Sequence, residues 1–353
     1  MPWPTRQSTS RNRDALAPFT GVAPLPALKI HFSTMWLHLL VVVLVLLFLY
    51  RWFRQSQILQ NLSDKYVFIT GCDSGFGNLL AKQLDRRGMR VLAACLTEKG
   101  AVELKQETSS RLQTVILDVT DNKNVISVAK KVSGIVGQAG LWGLVNNAGY
   151  GYGLTPNEWQ RKEDFAKILD VNILGLVDVT LNLLPLIRKA RGRVVNVSSG
   201  AGRLSVIGGG YCISKFGVQA FSDSLRREMR DFGVKVSIIE PGAFNTNILA
   251  VGPHMKILKR FWDNAPVEIK ESYGEQYYNQ YAENLKVIFH SGSSKLNKVP
   301  DCMEHALTAV YPWTRYSPGW DSKLFFIPVS YLPTVIADYV LCREAPKPAH
   351  GVV

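Results

Sequence analysis

Strand-forming residues Tyr66-Val-Phe-Ile-Thr70 run straight into Gly71-Cys-Asp-Ser-Gly75-Phe-Gly77, followed by a helical pattern through Leu79, Leu80 and Leu84. Gly71 permits a tight turn, Gly75 lets backbone amides approach a pyrophosphate, and Gly77 lets helix and strand pack closely. The helix start adds unpaired N–H groups and partial positive charge. A second apolar strand at 90–95 follows at βαβ distance, and a third at 112–117 runs into Asp118. Further strands fit at 141–146, 193–198 and 235–240. This alternation predicts an α/β chain with a doubly wound, Rossmann-type parallel sheet and helices on both faces. In such a sheet ligands bind outside the carboxyl ends of the strands. Asn146-Asn147-Ala148-Gly149, Ser198-Ser199 and Pro241-Gly242-Ala-Phe-Asn-Thr246 should therefore line one crevice.

Tyr211-Cys-Ile-Ser-Lys215 sets a phenol and an amine at i and i+4, on one face of a helix. A neighbouring ammonium favours phenolate and lowers a pKa otherwise near 10. Tyr211 is thus a candidate general base, and Ser199 lies twelve residues upstream.

Thr70-Gly71-x-x-x-Gly75-x-Gly77, Asn146-Asn147-Ala148-Gly149, Asn172, Ser199, Tyr211-x-x-x-Lys215 and Pro241-Gly242 together resemble the short-chain dehydrogenase/reductase family in order and approximate spacing. Within it, Gly71-Cys-Asp-Ser-Gly75-Phe-Gly77, Leu141-Trp-Gly-Leu-Val-Asn-Asn and Cys95-Leu-Thr-Glu-Lys resemble the membrane-bound retinol dehydrogenase branch, which also oxidises 3α-hydroxysteroids. The resemblance covers roughly residues 35–343. It implies that Tyr211 takes the alcohol proton while hydride leaves for a nicotinamide. Lys215 would lower the Tyr211 pKa and hold the nicotinamide ribose, and Ser199 would hydrogen-bond the substrate oxygen. Asn172 would hold a water linking Lys215 to solvent. Ser198 is the rival for the serine role. Gly71, Ser74, Gly75, Phe76, Gly77, Asp118, Asn146, Ala148, Gly149, Pro241, Gly242 and Thr246, with Tyr211 and Lys215, would contact the cofactor.

The choice between NAD and NADP usually rests on the end of the second strand. Cys95, Leu96 and Thr97 stand there, without the usual acid. No basic residue lies between Gly71 and Gly75, and Asp73 in that turn would repel a 2′-phosphate, which favours NAD. Lys99 argues for NADP.

Residues 35–54 are almost wholly apolar, with Trp36, Tyr50 and Trp52 at the ends, and read as a single membrane anchor; a cleaved signal peptide is the alternative. Residues 1–34 read as a disordered or alternative-start extension. A second apolar run over 324–342 reads as a core strand plus a membrane-dipping tail, with the apolar tail placed at 331–353. The catalytic domain then occupies 62–330. The net charge of +13, without a Lys/Arg block longer than a pair, suits a lipid surface and excludes nucleic acid. Five cysteines lack metal or disulfide spacing, so no metal is expected. Free thiols, with Arg51, Arg54 and Lys65 behind the anchor, favour a catalytic domain facing the cytosol from the endoplasmic reticulum membrane; the Asn61-Leu-Ser63 sequon points to the lumen.

Residues 246–300, with tyrosines 273, 277, 278 and 281, should close over the substrate before a last helix near 301–310. An aromatic and aliphatic lining suits a retinoid or steroid alcohol. The reading is an NAD-dependent oxidoreductase on all-trans-retinol or a 3α-hydroxysteroid, open to homo-oligomerisation. An NADP-linked carbonyl reductase and a non-catalytic nucleotide-binding membrane protein are its rivals.

Overall fold

The computed structural model describes residues 28–352, so most of the expected extension at 1–34 lies outside the described residues. The chain divides into two units, residues 1–53 and 54–353. The described part of the first is helix α1 (Leu28–Ser56), which continues into the second. Neither glycine nor proline interrupts α1, and its side chains from Met35 to Phe53 stand exposed. Its apolar stretch Met35–Ser56 has 22 residues, enough at about 1.5 Å per residue to cross a hydrocarbon core of about 30 Å.

The second unit opens with β1 (Tyr66–Thr70), α2 (Gly75–Arg86), β2 (Arg90–Cys95), α3 (Glu98–Gln106), β3 (Gln113–Ile116), α4 (Asn122–Val136) and β4 (Gly143–Asn146). Then come α5 (Lys162–Leu169), a π-helical turn (Asp170–Leu174), α6 (Gly175–Ala190), β5 (Arg193–Val197), α7 (Gly210–Glu228) and β6 (Lys235–Ile239). Helices α8 (Val251–Asn264), α9 (Val267–Tyr273), α10 (Glu275–His290) and α11 (Lys298–Thr308) precede a short β7 (Arg315–Tyr316). All pairings are parallel, in the order β3-β2-β1-β4-β5-β6-β7. The order reverses between β1 and β4, which opens the crevice at their carboxyl ends.

Alternation along β1 sends Val67 and Ile69 to one face, with Leu80, Leu84, Leu104, Met303 and Leu307. Phe68 faces the other way, with Val132, Val179, Leu183 and Leu225. Both faces are covered, so the strands read as continuous apolar runs. The apolar length Lys162–Ala190 belongs to this second layer.

After β7 the structure departs from expectation. The run at 324–342 is helical, not a core strand: a π-helical turn (Ser322–Phe326), α12 (Ile327–Ser330) and α13 (Thr334–Cys342). Pro328 lies in the first turn of α12 and Pro333 caps α13, positions where a missing N–H does no harm but where a ladder would be broken. Residues Arg315–Tyr316, absent from the expected strands, fill the sheet edge beside β6. Helix α11, expected near 301–310, begins at Lys298 and is followed by further helices. Where the second unit begins, Ile58 bridges Ala309, Val310 N donates to Gln57 O at 2.8 Å, and a His305 ring nitrogen meets Gln55 O at 2.9 Å.

Candidate active site

The turn after β1 is shaped by what it cannot accommodate. Gly71 (φ +72°) and Gly75 (φ +62°) hold conformations that glycine adopts without strain. A Cβ on Gly71 would stand 2.8 Å from Ala148 Cα, and one on Gly77 would collide with Gly71 O and with the Asn147 side chain. Asn147 Nδ2 donates to Thr70 O and Gly71 O, both at 3.0 Å, while Thr70 Oγ1 accepts from Asn147 N and Ala148 N, also at 3.0 Å. The ends of β1 and β4 are thereby stitched together. Ser74 opens α2 without capping it and instead accepts from Asn247 Nδ2 at 3.2 Å. The first turn of α2 therefore presents backbone donors to the crevice. Phe76 stacks edge-on against Phe244, and the Thr246 methyl lies 3.9 Å from where a Gly75 Cβ would be. A side-chain-free cradle at a helix start fits a dinucleotide pyrophosphate.

Asn146, expected among the cofactor contacts, is buried, and its Nδ2 donates to Thr180 Oγ1 and Asn196 Oδ1, both at 2.8 Å. It braces the sheet interior instead, because strand alternation turns it away from the crevice. Asn147, expected to line the crevice with its neighbours but given no role of its own, ties the crevice wall together instead.

An acid from the turn after β1 reaches the chain just beyond the end of β2. Asp73 accepts from Leu96 N at 2.8 Å, Thr97 N at 2.9 Å and Thr97 Oγ1 at 2.7 Å. Its carboxylate is pinned against the chain just after β2, and a Cβ on Gly100 would meet it at 2.6 Å. Lys99 pairs with Glu103 at 3.8 Å on the exposed side of α3. Asp118 Oδ1 accepts from Thr120 N and Oγ1 at 2.9 and 2.7 Å, shaping the turn after β3.

Helix α7 opens at Gly209 (φ +86°), so Tyr211 stands in its first turn, with the Ser199 hydroxyl close enough to favour its ionised form. Ser198 is buried, its hydroxyl donating to Lys215 O at 2.9 Å and accepting from Gln219 Nε2 at 3.1 Å. Of the two serines, the one facing the phenol is Ser199. Lys215 Nζ donates to Val197 O at 3.0 Å and lies 5.7 Å from the Tyr211 ring centroid.

The electrostatics reverse one expectation. Burial pushes the Tyr211 phenol up to about 12, against a smaller lowering by the Ser199 hydrogen bond. Lys215 does not draw it down, because burial lowers Lys215 itself to about 8.

Asn172 occupies the π-helical turn between α5 and α6 and is buried. Its Oδ1 accepts from Tyr150 N at 2.7 Å, and its Nδ2 donates to Tyr150 O at 2.8 Å and Ser214 Oγ at 3.0 Å. The side chain is thus a clamp on the loop after Gly149. Beyond the phenol, Ile207, Leu249, Val251 and Met255 pack on the same apolar cluster as Tyr211. Tyrosines 273, 277 and 281 surround Trp159, and Tyr278 stacks on Trp262, so they build a satellite core for α8–α10. A cavity of about 250 Å³ opens near Tyr150, Tyr152, Ile257 and Phe261; Tyr211 does not line it. On the crevice floor Pro241 O accepts from Gly200 N at 2.8 Å, and Gly242 N donates to Pro318 O at 3.0 Å.

The sequence profile of the short chain dehydrogenase family matches residues 65–255. Retinol dehydrogenase 7 of Rattus norvegicus is 58% identical over 318 residues, covering 90% of this chain and 100% of the relative. The 17-beta-hydroxysteroid dehydrogenase type 6 of Homo sapiens is 56% identical over 318 residues, with the same coverage of 90% and 100%. Among solved structures, a short-chain dehydrogenase from Streptomyces avermitilis superposes with a TM-score of 0.62 at 25% identity, covering 78% of this chain and 95% of its own.

Proposed function

The chain belongs to the short-chain dehydrogenase family and is an oxidoreductase using a nicotinamide cofactor; from that premise we propose that it oxidises a lipid alcohol, all-trans-retinol or a related retinoid or a 3α-hydroxysteroid, with NAD as acceptor. The observation that carries this reading is the convergence of Ser199, Tyr211 and Lys215, with the Lys215 ammonium 5.7 Å from the centroid of the phenol ring. The names of the two relatives, one a retinol and one a hydroxysteroid dehydrogenase, support the substrate class.

Gly71, Ser74, Gly75, Phe76 and Gly77 would hold the pyrophosphate, with Ala148, Gly149, Pro241, Gly242 and Thr246 lining the same crevice. Asp118 would meet the adenine, and Lys215 and Tyr211 the nicotinamide ribose. The pinned Asp73 carboxylate favours NAD, because a 2′-phosphate would meet a fixed negative charge, and Lys99 is engaged with Glu103. When bound, the oxidised cofactor supplies the hydride acceptor and a positive charge in the crevice.

Tyr211 takes the proton of the alcohol, and Ser199 donates to the oxygen as it becomes a carbonyl. A phenol near 12 is a strong base once ionised, and positive charge is what makes ionisation accessible. Lys215, near 8, can carry a proton onward at neutral pH. Asn172 acts on this chain as a positioning residue through Tyr150 and Ser214; the water expected beside it would have to use other groups.

The exposed, apolar α1 supports anchoring in a membrane, and the membrane of this proposal is that of the endoplasmic reticulum. Free Cys72, Cys95 and Cys212, all buried, support a catalytic domain on the cytosolic side. Exposed Ile213 and Phe216 on α7, with Leu174 and Leu181 on the neighbouring turn and α6, support a second copy as a partner.

The test is Tyr211→Phe in membranes, with initial rates for all-trans-retinol and androstanediol on NAD and on NADP. The variant should still bind NAD but lose at least about a hundredfold in oxidation. Unchanged turnover would remove Tyr211 as the base, and a preference for NADP would overturn the cofactor assignment.

A further inference from the structure

The last helices carry an apolar surface that the second unit leaves uncovered. Trp320, Leu324, Tyr331, Val335 and Tyr339 are each about 70–80% exposed, by 69, 70, 73, 82 and 70% respectively, and Ile336 and Leu332 join them at 48 and 41%. Monomeric soluble proteins seldom leave so continuous an apolar stretch in water. On α13 the helical period separates the two sides: Ala337 and Leu341 face inward onto Leu204 and Val206, while Val335 and Tyr339 face out.

The inward side is fastened to the walls of the crevice. Phe326 lies against Gly200, where a Cβ would come within 2.8 Å of its ring, directly after Ser199. Ser322 Oγ donates to Glu240 O at 2.8 Å, and Asp321 Oδ2 accepts from Ala243 N at 2.5 Å, on either side of Pro241-Gly242. One short segment thus backs two strand ends of the site and turns its other side outward.

We propose that this outward side, residues 320–342, is seated in the interfacial layer of a lipid bilayer, so that a membrane-dissolved alcohol passes into the crevice without crossing water; the passage rests on the function proposed above. The occupant follows from the rim. Lys298 and Lys323 ammonium groups stand 5.9 and 6.0 Å over the Trp320 ring, and Arg203 bonds Tyr331 Oη at 2.5 Å. Arg343, paired with the exposed Glu344 at 3.3 Å, and Lys347 follow α13, with Asp338 as the exposed acid on that helix, so the cations at Lys298, Lys323, Arg203 and Lys347 set the sign of the rim. Amphipathic aromatics flanked by cations match the headgroup level of a membrane with anionic lipid. At nine residues α13 is less than half the length of about 20 needed to span, so it lies in the interface.

Cys342 provides the probe, being the exposed cysteine beside four that are buried or partly buried. The full chain is reconstituted in phosphatidylcholine/phosphatidylserine vesicles, Cys342 is labelled with a fluorophore, and quenching by shallow doxyl-labelled lipid is read, with Cys342→Ala as the labelling control. Helix α1 keeps every variant on the vesicle, so quenching reports this surface. The wild type should be quenched, and Val335→Asp/Tyr339→Asp should lose quenching. The same variant should raise the KM for vesicle-borne retinol about tenfold while leaving kcat for a short water-soluble alcohol unchanged. An unquenched label in an enzyme that oxidises retinol overturns the docking. Shielding that depends on protein concentration instead of lipid overturns it too, giving the surface to a second copy. A quenched label in a chain that oxidises no lipid alcohol leaves the docking standing and overturns the proposed substrate.

Discussion

Replacing Asn172 by alanine removes hydrogen bonds to both backbone polar groups of Tyr150 and one to Ser214. Leaving a buried polar group unpaired costs about 1–3 kcal/mol. Tyr150 is half-buried, so water reaches it in part, and the two backbone groups together should lose roughly 2–4 kcal/mol. For a catalytic unit of this size that is a fall in Tm of roughly 3–6 °C, read by differential scanning fluorimetry in detergent. Activity should fall further than stability. A Cβ at Gly149 would stand 3.7 Å from Asn172 Oδ1 and 3.8 Å from Lys215 Nζ, so the loop the clamp holds lies against the Lys215 amine. Displacement on the order of 1 Å there should cut kcat by about a hundredfold at temperatures where the variant is folded. Asn172→Asp sharpens the test. It retains an acceptor for Tyr150 N but turns a second oxygen toward Tyr150 O, 2.8 Å from the present amide nitrogen. Aspartate should therefore destabilise at least as much as alanine, despite its matching shape. If Asn172→Asp keeps the wild-type Tm and turnover, the donor side of the clamp holds nothing and the reasoning fails.

Lys215→Met should abolish oxidation without lowering Tm at pH 7, because the native lysine is held in a site that drives its pKa from 10.5 to about 8. The sign follows from proton binding. Between about pH 8 and 10.5 the unfolded chain holds a proton that the folded one has released, so wild-type stability gains with rising pH across that window and carries the full burial penalty below it. Lys215→Met should lack this gain in Tm measured from pH 7 to 10.5; the same pH dependence in both proteins would show that Lys215 is not its source. Gly77→Ala puts a methyl group onto Gly71 O and Asn147 Nδ2 and should weaken NAD binding at least tenfold by fluorescence titration. Retained affinity would mean that the turn yields more readily than its contacts imply.

What could be read from the chain was what local chemistry dictates. The glycine spacing after Thr70 and the turn of helix between Tyr211 and Lys215 state their geometry within a few residues, and both stand as their spacing requires. Partners supplied across the fold were not legible. Nothing local distinguishes Asn146 from Asn147, yet one sits inside the sheet and the other ties two strand ends together. The Tyr211 shift depends on burial by α8 and its neighbours, which no i, i+4 rule contains. The run at 324–342 departs from the expected strand because apolar residues without clear periodicity suit either strand or helix, and its two prolines stand at helix starts.

Thr70 and Asn147 make the two halves of the doubly wound sheet share a crosspiece. The glycine turn after β1 and the loop leading to the phenol and amine are set apart by a single girder, not by two independently mobile loops. A loosened crosspiece would shift one end against the other, so affinity and turnover should deteriorate in step when either residue is altered.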